Sequence, residues 1–195
     1  MRDAARASIA AIVPAGGRAR RFGSDKTLAS IGGATLVGRA VDACRAAGAE
    51  PIVVVGPPEN AVPGTVGAWE EPPFGGPVAA IAAGLSRLDE ADLVAVVAAD
   101  MPFAGDALAV LVAAIASSDG IDGACAVDTE GRRQPLLAVY RTRALSDALA
   151  ALGEPAGAAM RALTRSMTLV EVPCGAAAID IDTPEALARA GGSAP

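Results

Sequence analysis

No histidine occurs among the 195 residues, which removes every scheme built on imidazole: a nucleophile–imidazole–carboxylate triad, an imidazole general base, a histidine-held metal. Lysine occurs once, at position 26, so any task needing an ammonium group falls on Lys26. Cys44, Cys125 and Cys174 are odd in number, far apart and without a Cys-x-x-Cys pair, so neither a disulfide framework nor a zinc site is indicated. They read as small apolar residues of the core. Aromatic residues make up 3% of the chain, which leaves the core to alanine, valine, leucine and isoleucine. No apolar run reaches the length of a bilayer crossing, because charges, proline or glycine interrupt each one. Met1-Arg-Asp-Ala-Ala-Arg6 leads into a strand and not into a cleavable leader, so the expectation is a soluble, cytoplasmic protein without membrane contact.

What the sequence does have is an opening strand, residues 8–13, that breaks at Pro14 into Ala15-Gly-Gly-Arg-Ala-Arg-Arg-Phe-Gly-Ser-Asp-Lys26. Glycines let backbone N–H groups approach phosphate oxygens, and the cations add charge that faces the ligand. Residues 1–26 hold six basic and two acidic side chains, whereas the remainder holds ten against twenty. A positive pole on a chain of net charge −6 suits a triphosphate and argues against a nucleic-acid backbone as partner. Two familiar phosphate loops do not fit. Five residues separate Gly17 from Gly23 and Lys26 lies three past it, unlike a P-loop, and Gly16-Gly17 before Arg18-Ala-Arg-Arg21 cannot form Gly-x-Gly-x-x-Gly.

Beyond the loop, strand-like runs alternate with helical periodicity, the pattern of an α/β domain with a largely parallel sheet. Helices are predicted at 35–47, 77–88, 106–117, 144–152 and 156–164, and strands at 51–55, 65–69, 93–99, 123–127, 133–141 and 168–172. Pro77 suits the first helical position behind Gly75-Gly76. The run 93–99, apolar enough to be buried on both faces, delivers Asp100-Met-Pro-Phe103 to the carboxyl edge of the sheet, where ligands of open α/β folds sit. Asp100 could equally cap the following helix. The turn Asp128-Thr-Glu-Gly131 predicts an antiparallel hairpin with Arg132 and Arg133 near its tip, either facing a ligand phosphate or solvated. In Ile179-Asp-Ile-Asp-Thr-Pro184, alternation puts Asp180 and Asp182 on one face of a short strand, where Asp182 or Thr183 can cap the next helix or Asp180 or Asp182 can add a second metal ligand.

The segment Pro14-Ala-Gly-Gly-Arg-Ala-Arg-Arg-Phe-Gly-Ser-Asp-Lys26 resembles, position by position, the signature Leu-Ala-Gly-Gly-x-x-x-Arg-Met-Gly-x-Asp-Lys of the molybdenum-cofactor guanylyltransferases of the MobA type. Pro14 and Phe22 are the departures. Gly76-Pro77, Asp100-Met-Pro-Phe103 and Gln134-Pro-Leu-Leu-Ala-Val-Tyr140 are similar to further segments of that family, which usually has Asn-x-Asn-Thr-Pro where this chain has Asp180-Ile-Asp-Thr-Pro184.

The resemblance implies one three-layer α/β/α Rossmann-like domain over residues 1–195 with a mixed, mostly parallel sheet. The activity it implies is transfer of GMP from GTP to molybdenum-bound molybdopterin with release of pyrophosphate, and passing contact with molybdenum-cofactor enzymes or insertion proteins. Pro14, Ala15 and Gly16 then meet base and sugar, Gly17 and Arg20 line the phosphates, Lys26 neutralises them and Asp100 holds magnesium. Gly56 and Glu71 stand where the family more often has Asn and Asp against the nucleotide. From the residues alone, CTP in place of GTP, another phosphorylated acceptor, and nucleotide binding without catalysis stay open.

Overall fold

The computed structural model describes residues 7–17 and 26–193. Strand β1 (Ile9–Pro14) buries every residue but its last, as a run covered on both faces must. Two short strands follow, β2 (Ser30–Ile31) and β3 (Ala34–Thr35), then helix α1 (Leu36–Ala46), whose first turn is closed by Thr35 Oγ1 accepting the Gly38 N–H at 3.1 Å. Next come β4 (Ile52–Val55), β5 (Val66–Ala68), α2 (Pro77–Leu85), β6 (Leu93–Val97) and α3 (Ala104–Ala116). The chain continues through β7 (Gly123–Val127), β8 (Arg133–Arg141), α4 (Thr142–Leu152), α5 (Met160–Leu163), β9 (Leu169–Pro173), α6 (Pro184–Arg189) and β10 (Gly192–Ser193).

Seven strands form one sheet in the order β5-β4-β1-β6-β8-β7-β9. All run the same way except β8, which is antiparallel to both neighbours. Alternation along the strands supplies two cores. Ala11, Val13, Val54, Ala95 and Val97 meet Val37, Val41 and Cys44 of α1 and Leu108 and Leu111 of α3. Ile12, Val53, Val96, Ala138 and Tyr140 meet Val78 and Ile81 of α2, Leu145 of α4 and Met160 of α5. The layers are therefore α/β/α with a mixed, mostly parallel sheet, as the pattern and the resemblance imply. A second, three-stranded sheet, β10-β2-β3, closes over α6 through Ala29, Ile31, Leu36, Ile181 and Leu187. This satellite core holds the segment after Lys26 against the segment 179–187.

Several expected boundaries move. Pro14 does not break β1 but ends it. Its missing donor is not called on, because its carbonyl takes the Ala99 N–H at 3.0 Å and Ala15 supplies the next donor, to Val55 O at 2.7 Å. Residues 179–182 are extended chain and not a strand, joined by the Ile181 N–H to Asp100 O at 2.9 Å. The predicted helix 156–164 shrinks to α5, because Gly157 takes φ +75° and gives its N–H to Gly75 O at 2.7 Å.

Candidate active site

Because β5, β4, β1 and β6 are parallel, they present Ala68, Val55, Pro14 and Val97 at one edge of the sheet. The crevice along that edge collects the residues following each strand, Glu70, Gly56, Ala15-Gly16 and Asp100, in that spatial order. Three strand spacings of about 4.8 Å set its length at about 14 Å.

At the β6 end lies a charged cluster. Lys26 opens a short 3₁₀ turn, Lys26–Leu28, that Ala29 closes by donating its N–H to Lys26 O at 3.0 Å. Its Nζ stands 2.7 Å from Asp100 Oδ2 and 2.7 Å from Asp182 Oδ1. Burial pulls the ammonium's pKa down, but the charge and hydrogen bond of Asp100, followed by those of Asp182, outweigh it and hold Lys26 above the usual lysine range. Asp180 is pushed up, first by burial and then by the charges of Asp182 and Asp100. Two carboxylates thus face one ammonium, and Asp180 feels both of them.

The hairpin joining β7 to β8 borders this cluster. Buried Asp128 accepts the Glu130 and Arg132 N–H groups at 2.8 and 2.9 Å, Arg132 Nε at 2.9 Å and Gln134 Nε2 at 2.9 Å. Arg132 is held mainly by Asp128 and then Glu130, with Asp180 the weakest of the charges acting on it.

Two polar side chains are buried toward the β5 end, Asn60 and Glu70. Asn60, fully buried, donates Nδ2–H to Ala15 O at 2.7 Å. Glu70 is 4% exposed, and its Oε1 lies 3.5 Å from where a Cβ on Gly16 would sit. That oxygen accepts the Phe74 N–H at 3.1 Å, while Oε2 has no hydrogen-bond partner. Gly56 lies between the two ends with no room for a side chain, since a Cβ would come within 2.8 Å of the Ala15 carbonyl carbon and oxygen.

The family model of the MobA-like NTP transferase domain matches residues 11–172. The chain belongs to that family. A probable molybdenum cofactor guanylyltransferase of Opitutus terrae is 38% identical to this MobA-like chain over 99 residues, which are 49% of the chain and 49% of the relative; the chain spans about half the length of that curated relative. Among solved structures, Rv0371c of Mycobacterium tuberculosis H37Rv superposes with TM-score 0.73 at 20% identity, covering 94% of this chain and 97% of that one. A manganese complex of Rv0371c does so with TM-score 0.72 at 18% identity, over 94% and 98%. Molybdopterin-guanine dinucleotide biosynthesis protein A of Archaeoglobus fulgidus has TM-score 0.67 at 23% identity, over 93% and 96%. These structural likenesses carry the fold.

Within this MobA-like domain, Pro14, Ala15, Gly16, Gly17, Lys26, Gly56 and Asp100 all come to the carboxyl edge of the parallel strands, whereas Arg20 lies outside the described residues. The two acids after β5 differ in burial, and two cap readings need correction. Glu71 is exposed and its neighbour Glu70 is the buried acid at the crevice, because alternation continues past β5 from buried Ala68 through exposed Trp69. Asp182 does not cap α6; Thr183 Oγ1 does, accepting the Ala186 N–H at 3.1 Å, which frees Asp182 for Lys26. Asp100 does not cap α3 either, since the cap position is Phe103 with no side-chain bond. Arg132 and Arg133 are tied to Asp128, Glu130 and Glu171. Sequence reading missed Asn60 and Glu70; only the alternation through 68–70 could have signalled the second.

Proposed function

We propose that this MobA-like domain transfers GMP from GTP to the terminal phosphate of molybdopterin and releases pyrophosphate, the whole chain forming one such domain. The observation that carries the reading is the pairing of Lys26 with Asp100 and Asp182 at the far end of the crevice from Glu70, at 2.7 Å each. A ligand that brings phosphate oxygens with a divalent cation to one end and hydrogen-bond donors to the other matches that arrangement. A nucleoside triphosphate lying across β5 to β6 is such a ligand.

At the base end, guanine presents adjacent N–H donors on its Watson–Crick edge, and a carboxylate accepts such a pair. Cytosine offers one amino group beside acceptor atoms that a carboxylate repels. Glu70, with Oε2 unengaged, therefore supports GTP over CTP. In this role Glu70 replaces Glu71, and Asn60 holds the Ala15 carbonyl so that the backbone of Ala15 and Gly16 faces base and sugar. Gly56 serves by its smallness and Pro14 by ending β1.

At the phosphate end, Lys26 turns from the carboxylates to the triphosphate, joined by Gly17 and Arg20. The donor set suits magnesium: oxygen ligands already gathered about a cation, Lys26 Nζ, by Asp100 and Asp182. Among the described residues no three acidic or thiol side chains are grouped to hold a metal unaided, and magnesium typically takes one or two carboxylates with phosphate oxygens and water. Asp100 would be its principal ligand, and the bound ion would neutralise charge on the departing pyrophosphate. The acceptor phosphate is anionic at neutral pH and attacks the α-phosphorus without a general base, which accords with a chain lacking histidine. As the new P–O bond forms, the bond to pyrophosphate breaks, and the chain's part is alignment and charge neutralisation.

Parallel incubations with GTP and CTP, each with and without molybdopterin and magnesium, test the proposal by pyrophosphate release and product mass. Acceptor-dependent release from GTP with a guanine dinucleotide product is the expected result. Release from CTP alone makes the chain a cytidylyltransferase, and tight GTP binding without product makes it a regulatory binding protein.

A further inference from the structure

Arg39, half-buried on α1, points its guanidinium at two main-chain carbonyls: Nε donates to Pro102 O at 3.3 Å and Nη1 to Ile31 O at 3.4 Å. It lines a cavity of about 420 Å³ together with Asp42 and Asp106, so carboxylates are near at hand, yet its hydrogen bonds go to the backbone. The Phe103 ring lies over the guanidinium, its centroid 5.9 Å from Cζ, and fixes the plane of the fork.

The two carbonyls belong to the segments that carry the charged cluster. Pro102 follows Asp100 closely in the loop after β6, and Ile31 sits in β2, just past Lys26. Those segments lie in different sheets, so no strand ladder sets the distance between them. The ties across the gap include the Lys26–Asp100 ion pair, the Ile181 N–H on Asp100 O at 2.9 Å and the Arg39 bridge. When a divalent ion and phosphate enter, the ion pair must open. The Arg39 bridge need not, because it takes no part in the charge pairing.

We infer that Arg39 is a positioning residue, which by bridging Pro102 and Ile31 holds Asp100 at its working distance from the Lys26 segment once the ion pair between them has opened. This rests on the proposed reading of Asp100 as magnesium ligand and adds to it what keeps that ligand in place. A guanidinium can hold two acceptors at a fixed separation, whereas the single ammonium of lysine cannot.

Wild type, Arg39→Lys and Asp100→Asn, singly and combined, are titrated with magnesium in the presence of GTP, following binding heat and melting temperature, and with GTP in EDTA. Arg39→Lys should move the magnesium midpoint up about tenfold, as loss of a group that orients a metal ligand typically does, and leave GTP affinity in EDTA unchanged. In the Asp100→Asn background it should move the midpoint no further, because it acts through Asp100. Phe103→Ala removes a ring that is already 39% exposed, so it serves if Arg39→Lys does not fold; its midpoint should rise about threefold.

A lower melting temperature with an unmoved magnesium midpoint makes Arg39 a packing residue and overturns the inference. A further displacement on top of Asp100→Asn overturns it as well, since the effect then bypasses Asp100. Because the readout is binding, the two readings separate. A displaced midpoint without any transferred product keeps the bridge and removes the transferase, whereas turnover with an unmoved midpoint in Arg39→Lys keeps the transferase and removes the bridge. Absence of any magnesium response from wild type with GTP overturns both.

Discussion

Lys26 is paired with Asp100 and Asp182, with Asp180 beside them, so under the proposed function its removal should have opposite effects on catalysis and on metal binding. Lys26→Ala should lower transfer by about 10² or more, as loss of a preorganised charge contact typically does. It also leaves three carboxylates facing one another, so magnesium alone should raise the melting temperature of the variant more than that of wild type. Equal magnesium shifts in the two proteins, or near-normal turnover, would remove the assigned role. Asp100→Asn keeps shape and loses charge. Its expected outcome is a magnesium requirement displaced to higher concentration, and a superimposable titration would show the ligand to be elsewhere. Both residues were legible in the sequence, Lys26 as the sole ammonium after a glycine-rich loop and Asp100 as the first charge after a buried apolar run. Glu70 was not. Two adjacent glutamates look alike in sequence, and only the alternation continued from Ala68 turns the first inward and the second to solvent.

At the scale of elements, the β7–β8 hairpin depends on Asp128. The Arg132 N–H, then the Arg132 side chain, Gln134 and the Glu130 N–H, hold its carboxyl below the usual carboxylate range against the opposing effect of desolvation. A carboxyl whose folded pKa lies below its unfolded value, about 3.9, adds stability that is complete above that pH. The contribution is lost as pH falls toward the folded value. Wild type should therefore lose melting temperature more steeply than Asp128→Asn between about pH 4 and 2; parallel curves would refute the linkage. The α2–β1 contact is limited by size instead. A Cβ at Gly84 would lie 2.6 Å from Ile12 Cγ2, so Gly84→Ala gains about 1 kcal/mol of helix propensity but loses about 1–3 kcal/mol to overpacking. Net destabilisation by thermal melting is the expected sign. The long elements were legible because buried parallel strands read as apolar runs and helices as a 3.6 period. The strands β2, β3 and β10, at two residues each, carry no period; their pairing is fixed by the satellite core of Ile31, Ile181 and Leu187.

Over the whole molecule, the alternating order of strands and helices made the three layers legible, but not the joining of the chain's two ends at the site. Lys26 comes from the start of the described chain after β1 and Asp182 from near its end, and β10 pairs with β2 beside them. No local signal encodes a contact across 156 positions. A ligand lying from β5 to β6 touches segments that are remote in sequence and leaves the β7–β9 side of the sheet alone. GTP with magnesium should therefore slow amide exchange in two separated groups, residues 66–76 at one end and 26–31 with 179–187 at the other, with little change in Leu169–Pro173. A nucleotide held only by its phosphates would protect the second group and not the first, and one held only by its base would do the reverse. Either pattern contradicts an extended nucleotide spanning the crevice, because both ends must be engaged for the α-phosphate to lie over β1, between Gly16 and Asp100.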